Sequence, residues 1–187
     1  VKDLFDLTIG IVGFGYAGRH LAELLQAFRV DVIASDPGVS AQSMAAVGVR
    51  KVEMEEVFAQ SDIISIHAPD LPSTYHIVNE ASIATMKDGV ILINTARGTA
   101  IDEQALAKAL LSGKIKTACL DVYDPEPPRA DNPLLKLDTC IMTPHIAGQA
   151  ANGLQRIGYN CYCQLLHFLA GEQMQGEITR DMLSHIA

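Results

Sequence analysis

The sequence predicts an α/β fold, a doubly wound and mostly parallel sheet with helices on both faces. Three observations predict it. Short apolar runs alternate with helix-like segments along nearly the whole chain. Those runs are continuous rather than alternating, which is how strands buried on both faces read. A glycine-rich turn, GFGYAG at 13–18, joins the first run to an amphipathic segment. With 187 residues, 49% of them apolar and 19% charged, the chain has the length and composition of a soluble domain with a well-buried core.

Each element can be justified in turn. LTIGIV at 7–12 reads as the first strand, and 16–29 as a helix whose Ala17, Leu21, Leu24, Leu25 and Phe28 form one apolar face. Strands follow at 31–36, 62–68 and 89–96, separated by helices at 40–48 and 80–87. A helix at 102–113 has Asp102 placed as its N-cap and Gly113 placed to end it in a left-handed turn. Two further strands, 117–122 and 139–145, flank the one stretch that breaks the pattern, a Pro-rich acidic loop. After Gly148 comes a longer helix with Leu154, Ile157, Cys161, Leu165 and Phe168 on one face, closed by Gly171. A short amphipathic tail carries Ile178, Met182, Leu183 and Ile186. The expected division is one α/β domain over 1–170 and a tail over 171–187 whose apolar side needs cover, either by folding back on this domain or from a partner absent from the chain.

Charge and composition exclude several classes. A net charge of −8 leaves no basic stripe to displace counterions from phosphates, so no nucleic-acid partner is expected. No apolar run reaches the roughly 18–20 residues of a membrane span, and the N-terminus lacks signal-peptide character, so no membrane partner and a cytoplasmic location are expected. Cys119, Cys140, Cys161 and Cys163 lack paired zinc spacing and read as buried, reduced thiols; no metal site is expected.

Gly13, Gly15 and Gly18 follow a strand and open a helix, and Asp36 closes the next strand about 20 residues on. This is the context that lifts G-x-G-x-x-G above a simple chain reversal, and it makes the predicted domain Rossmann-type. Glycine lets backbone approach a pyrophosphate, and the free amides of Tyr16 and Ala17 then point at that anion. Asp36 would accept from the adenosine ribose hydroxyls and repel a 2′-phosphate. No Lys or Arg lies between Asp31 and Val49 to pair with such a phosphate, so NAD is favoured over NADP.

Three later stretches carry chemistry. NTARG puts Arg97 just past a buried strand, LDVYDPEPP puts Asp121 and Glu126 past another, and TPHIAG does the same for His145. Ligands of open parallel sheets bind outside the carboxyl ends of the strands, so these groups can converge. Arg97 offers a rigid fork of donors for a carboxylate or carbonyl oxygen. Histidine's reference pKa of about 6.5 suits this residue type to proton transfer near neutral pH, and Glu126 beside His145 would favour the imidazolium. Standing alone, Arg97 would read as a strand-end ion pair and His145 as a structural histidine. His67 borders the expected channel but reads equally well as structural, and His20, His76, His167 and His185 are weaker candidates.

Together with HAPDLPSTYHIVNEASIATMKDGVILINTARG, these motifs resemble the D-isomer-specific 2-hydroxyacid dehydrogenase family over nearly the whole chain. The resemblance implies that Arg97 binds and polarises substrate, Glu126 is the acid paired to the catalytic histidine, and His145 is the proton donor and acceptor. It implies that Asp121 bonds the nicotinamide carboxamide, that Ala68, Thr95 and Ala96 wall the cofactor, and that Gly148, with Arg97 and His145, completes its contacts. The implied reaction is NAD-dependent interconversion of a 2-hydroxy acid and a 2-oxo acid by a homodimer. YDPEPP departs from the family pattern at Asp124 and Pro128 but keeps Glu126 in register. Family members also carry, before the glycine-rich strand, half of a substrate domain that this sequence does not contain. The tail is therefore expected to pack on that domain, and the chain alone to bind NAD(H) with little turnover. Two other functions share these motifs: an NAD-sensing corepressor module, and a formate dehydrogenase, in which glutamine stands at the position of Glu126.

Overall fold

The computed structural model describes residues 3–184; His185 and Ile186 lie outside the described residues. In chain order the elements are β1 (Thr8–Val12), α1 (Tyr16–Leu25), β2 (Asp31–Ser35), α2 (Ala41–Ala45), β3 (Arg50–Lys51), α3 (Met54–Gln60), β4 (Ile63–Ile66), α4 (Glu80–Thr85), β5 (Val90–Asn94), α5 (Glu103–Ser112), β6 (Ile115–Leu120), β7 (Cys140–Met142) and α6 (Ala151–Ala170). The strands form one 7-stranded sheet in the order β3-β2-β1-β4-β5-β6-β7. Every pairing is parallel. The predicted doubly wound α/β class is the observed one, with the strand order reversing between β1 and β4.

Successive strand residues point to opposite faces, so the apolar runs feed two cores. Ile9, Ile11, Val32 and Ala34 pack with Ala22 and Leu25 of α1 and Met44 of α2. Val12, Ile33, Ile64, Ile66 and Leu92 face the other way, onto Val57 and Phe58 of α3, Ile83 of α4 and Leu106 and Leu110 of α5. α5 begins and ends as its sequence dictates. Asp102 accepts from the amides of Gln104 and Ala105, and Gly113 closes the helix at φ 78°.

Several expectations need correction. The buried side of α1 is Gly18, Ala22 and Leu25, while Ala17, Leu24 and Phe28 are exposed. Small residues, not large ones, let this helix lie close to the sheet, so ranking positions by hydrophobicity rotated the face. The helix is also α-helical only to Leu25 and continues as one 3-10 turn over Gln26–Phe28. β3 and α3 were not anticipated. Two residues show no periodicity, and α3 presents only Val57 and Phe58 as buried residues among flanking acids. None of the four cysteines is buried, and Cys161 is exposed. α6 ends at Gly171 as expected, and its Leu154, Ile157, Leu165 and Phe168 are exposed, as are Ile178 and Leu183 beyond it, apolar side chains for which cover was expected from elsewhere. No helix of the described residues is long and apolar enough to cross a membrane.

Leu106 is fully buried at the centre of the α5 contact, whereas Leu111 on the same helix is 73% exposed. Truncating a buried leucine removes transfer energy and leaves a cavity, so Leu106→Ala should cost about 2–5 kcal/mol. Leu111→Ala should stay within about 0.5 kcal/mol. Urea unfolding of the two variants checks the contrast.

Candidate active site

Registers align the strand ends. Val12 pairs with Ser35 and Ile66, Ile66 with Asn94, Asn94 with Leu120, and Leu120 with Met142. Neighbouring strands lie about 4.8 Å apart, so the loops leaving these ends form one continuous edge. Gly13, Asp36, Ala68, Thr95, Ala96, Arg97, Asp121 and His145 all lie on those loops.

At the reversal of strand order, Gly13 has φ 91°, and a Cβ there would sit 2.7 Å from the Ala68 amide nitrogen. Only glycine lets the two loops touch. A Cβ on Gly18 would collide with the Gly13 carbonyl oxygen, whereas one on Gly15 would enter open space. Gly15 is the residue that leaves room for a ligand at the start of α1. No side chain caps that helix, and Tyr16 and Ala17 at its first turn are exposed. Asp36 braces the same turn. Its Oδ2 accepts from the Phe14 amide at 2.7 Å and its Oδ1 from the Gly38 amide at 2.8 Å. Beside it opens a cavity of about 400 Å³ lined by Gly13, Asp36, Lys51, Met54, Ala68 and Ile77 among others. His67 donates or accepts at Nε2 with Ser65 Oγ, 2.9 Å away, and burial holds its pKa below the ordinary value. Ser65 thus braces the His67 side chain immediately before Ala68, which lines the cavity.

Across the edge, the loop after β5 is shaped by Asn94, a fully buried side chain that composition and spacing did not single out. Its Oδ1 accepts from the Ala96 amide at 3.0 Å and its Nδ2 donates to the Arg97 carbonyl at 2.8 Å. Asparagine closing an apolar strand before a loop was the available signal. Arg97 is exposed, and Nη1 donates to the Ala96 carbonyl at 2.7 Å. A guanidinium has five donors, so most of the fork remains for a ligand. Thr95 is exposed beside it and Ala96 is half-buried. Gly98 then packs against the next loop so closely that a Cβ would overlap the Tyr123 carbonyl group.

That next loop carries the acid. Glu126 Oε1 accepts from the Tyr123 amide at 2.9 Å, and Oε2 lies 2.8 Å from His145 Nδ1. His145 holds a left-handed backbone, φ 53°, and its Nε2 has no partner among the described residues. Burial pushes the Glu126 carboxyl up, but the hydrogen bonds from His145 and from the Tyr123 amide outweigh it and hold the carboxyl below the usual range. Glu103, at the first turn of α5, grips both ends of the loop by accepting from the Asp124 amide and the Asn132 amide group. Its pKa is raised, chiefly by burial.

Asp121 is only 3% exposed and anchors the loop of His145 from below. Oδ1 accepts from the Thr143 hydroxyl at 2.5 Å and the Ile146 amide at 2.9 Å, and Oδ2 from the Ala147 amide at 2.8 Å. Burial works against its charge, yet these donors bring its pKa below the ordinary value. A carboxylate has about four acceptor positions, so at most one is left for a ligand. Gly148 follows on this loop with open space around it. The remaining histidines stand apart: His20 lies beside Glu23, His76 stacks on Tyr75, and His167 pairs with Glu172. Partial burial pushes the Cys140 thiol up to about 11, which disfavours the thiolate.

Residues 1–147 match the family described as D-isomer specific 2-hydroxyacid dehydrogenase, NAD binding domain, and the chain belongs to that family. A hydroxypyruvate reductase of Thermotoga maritima is 44% identical over 84% of this chain and 51% of its own length. A D-3-phosphoglycerate dehydrogenase of Archaeoglobus fulgidus is 41% identical over 83% of this chain and 30% of its own. Among solved structures, the NAD-complexed D-isomer specific 2-hydroxyacid dehydrogenase of Lactobacillus delbrueckii ssp. bulgaricus superimposes with a TM-score of 0.84 at 28% identity, over 95% of this chain and 57% of that one. The chain thus spans about half the length of the hydroxypyruvate reductase, and less of the phosphoglycerate dehydrogenase. NAD is the cofactor of the family, and the cleft fits it: the open face of Gly15, the uncapped start of α1 and the Asp36 carboxylate are its expected contacts.

Because the folded Glu126 carboxyl has a depressed pKa, the stability it contributes is fully present above the ordinary carboxylate value. That stability fades as pH falls through the lower, folded value. Carbon-13 NMR titration of Glu126 should give a midpoint below that of a free glutamate, and His145→Gln should move it upward. A midpoint that stays put in the variant would remove the histidine as the cause.

Proposed function

We propose that this chain supplies the cofactor site and the acid–base pair of an NAD-dependent oxidoreductase that interconverts a 2-hydroxy acid and a 2-oxo acid. The observation that carries this reading is the 2.8 Å contact between His145 Nδ1 and Glu126, on the same sheet edge as the Arg97 guanidinium, which spends one donor on the Ala96 carbonyl.

When bound, NADH supplies the hydride. The protein's own residues do the rest. The turn of Gly13, Gly15 and Gly18 with the amides of Tyr16 and Ala17 holds the pyrophosphate, and Asp36 holds the ribose hydroxyls. Ala68, Thr95, Ala96 and Gly148 form walls of the cleft, and the last acceptor position of Asp121 serves the carboxamide. Arg97 binds the substrate carboxylate or the adjacent carbonyl oxygen and draws electron density toward that oxygen. Glu126 fixes the imidazole so that Nδ1 carries the bonded proton and Nε2 faces the reaction. In reduction, Nε2–H of the imidazolium gives its proton to the carbonyl oxygen as the carbon is reduced, and in oxidation neutral Nε2 takes it back. The carboxylate of Glu126 favours this over a formate-oxidising role, because formate has no hydroxyl proton to exchange. The partner is a small 2-hydroxy or 2-oxo acid.

Assays of the full-length gene product with NADH and a panel of 2-oxo acids test the reading. At least one acid should be reduced. His145→Gln should lower kcat by about 10²–10⁴-fold, the range removed with a positioned acid–base group. Arg97→Lys should lower kcat/KM by roughly 10²-fold, because an ammonium cannot replace the bidentate fork. The 187-residue chain alone should bind NADH and reduce the same acid little or not at all. Failure of every acid in the panel, with NADH bound, would return the site to a sensing role.

A further inference from the structure

The adenosine side of the cleft holds a cation that a sequence window around Asp36 does not contain. Lys51 lies 15 positions after Asp36 in the chain, yet β3 pairs with β2 so that Lys51 is the register partner of Ala34. Directly paired residues of parallel strands face the same side, which puts Lys51 on the side of Ala34, and Lys51 and Asp36 both line the same cavity at the strand ends. The neighbouring Arg50 faces away. Its guanidinium donates to Gln60 Oε1 at 3.2 Å and lies 3.7 Å from Asp31.

Lys51 and Asp36 bracket one turn. Lys51 Nζ donates to the Val39 carbonyl at 2.7 Å, while Asp36 Oδ1 accepts from the Gly38 amide at 2.8 Å. The ammonium therefore sits over the segment that follows Asp36, the segment that borders the ribose hydroxyls in the reading above. Among the residues lining the cavity Lys51 is the single cation, set against Asp36, Glu53 and Glu55. An ammonium has three donors and the Val39 carbonyl uses one, so an anion can be met without breaking that bond.

From this geometry we infer that Lys51 is a determinant of cofactor choice, the cation that meets a ribose 2′-phosphate, so that Asp36 acts against an attraction already present in the pocket. Preference for NAD is then a difference between two opposed contacts rather than the absence of a phosphate partner. The inference rests on the cleft being the NAD site, as proposed above.

Calorimetric titration of this chain with NAD⁺ and with NADP⁺ tests it, through the ratio of the two Kd values. Lys51→Met should raise the ratio Kd(NADP⁺)/Kd(NAD⁺) by about tenfold, the size of one charge-assisted hydrogen bond. Asp36→Ser should lower that ratio by tenfold or more, and adding Lys51→Met to it should cancel most of the gain. An unchanged ratio in Lys51→Met while NAD⁺ still binds would overturn the role of Lys51 alone. Equal weakening of both cofactors would make Lys51 a brace of the turn and overturn it as well. No NAD⁺ binding by the unaltered chain would instead overturn the cofactor reading, and the inference with it.

Discussion

Parallel pairing in aligned register is the constraint on which everything else in this protein depends. Seven strands running one way place all their carboxyl ends on one edge. A one-residue slip would move every inward side chain to the other face, and both faces are packed, so the register is strongly fixed. Residues distant in sequence become neighbours for that reason alone. Gly13 meets Ala68 and Gly98 meets Tyr123 because their strands are adjacent, and glycine is needed at each meeting because backbone approaches backbone.

Register brings the loops to the edge but does not fix their shape. That task falls to a few polar side chains, Asn94 and Asp121 buried and Glu103 half-buried. Asn94 folds the Arg97 loop back on itself, Asp121 holds three donors from the His145 loop, and Glu103 holds both ends of the loop bearing Glu126. Each such bond contributes only about 1 kcal/mol net, but leaving a buried group without its partner costs about 1–3 kcal/mol. The arrangement is therefore selective rather than strongly stabilising. Loops in other conformations leave buried donors or acceptors unmet.

Legibility in the sequence follows the same division. What is local was readable: the glycine turn with Asp36, the Asp102 and Gly113 ends of α5, and the short motifs carrying Arg97, Glu126 and His145. What depends on a partner far along the chain was not. The face of α1 was rotated because the benefit of Gly18 and Ala22 lies in closeness to β1, which hydrophobicity does not measure. Asn94 and Glu103 look like ordinary polar residues until their loop contacts are known. Asp121 was assigned to a ligand, and the structure fills most of its acceptor positions with its own chain. Lys51 reaches the Asp36 turn on a strand of two residues, too short to show any periodicity.

These features separate where stability lies from where chemistry lies. Burying a leucine or isoleucine side chain is worth about 1.5–3 kcal/mol, and both faces of the sheet are filled with them. The sheet therefore persists through small changes at its edge. His145, by contrast, depends on a short loop with a left-handed backbone, an acid partner and an anchoring carboxylate beneath. In the proposed mechanism, loss of one of these contacts would displace the ring nitrogen assigned to proton transfer, and the core, which does not touch that loop's polar contacts, would not restore it. The fold can thus be robust while the site is exacting, because the two are held by interactions of different kind and reach.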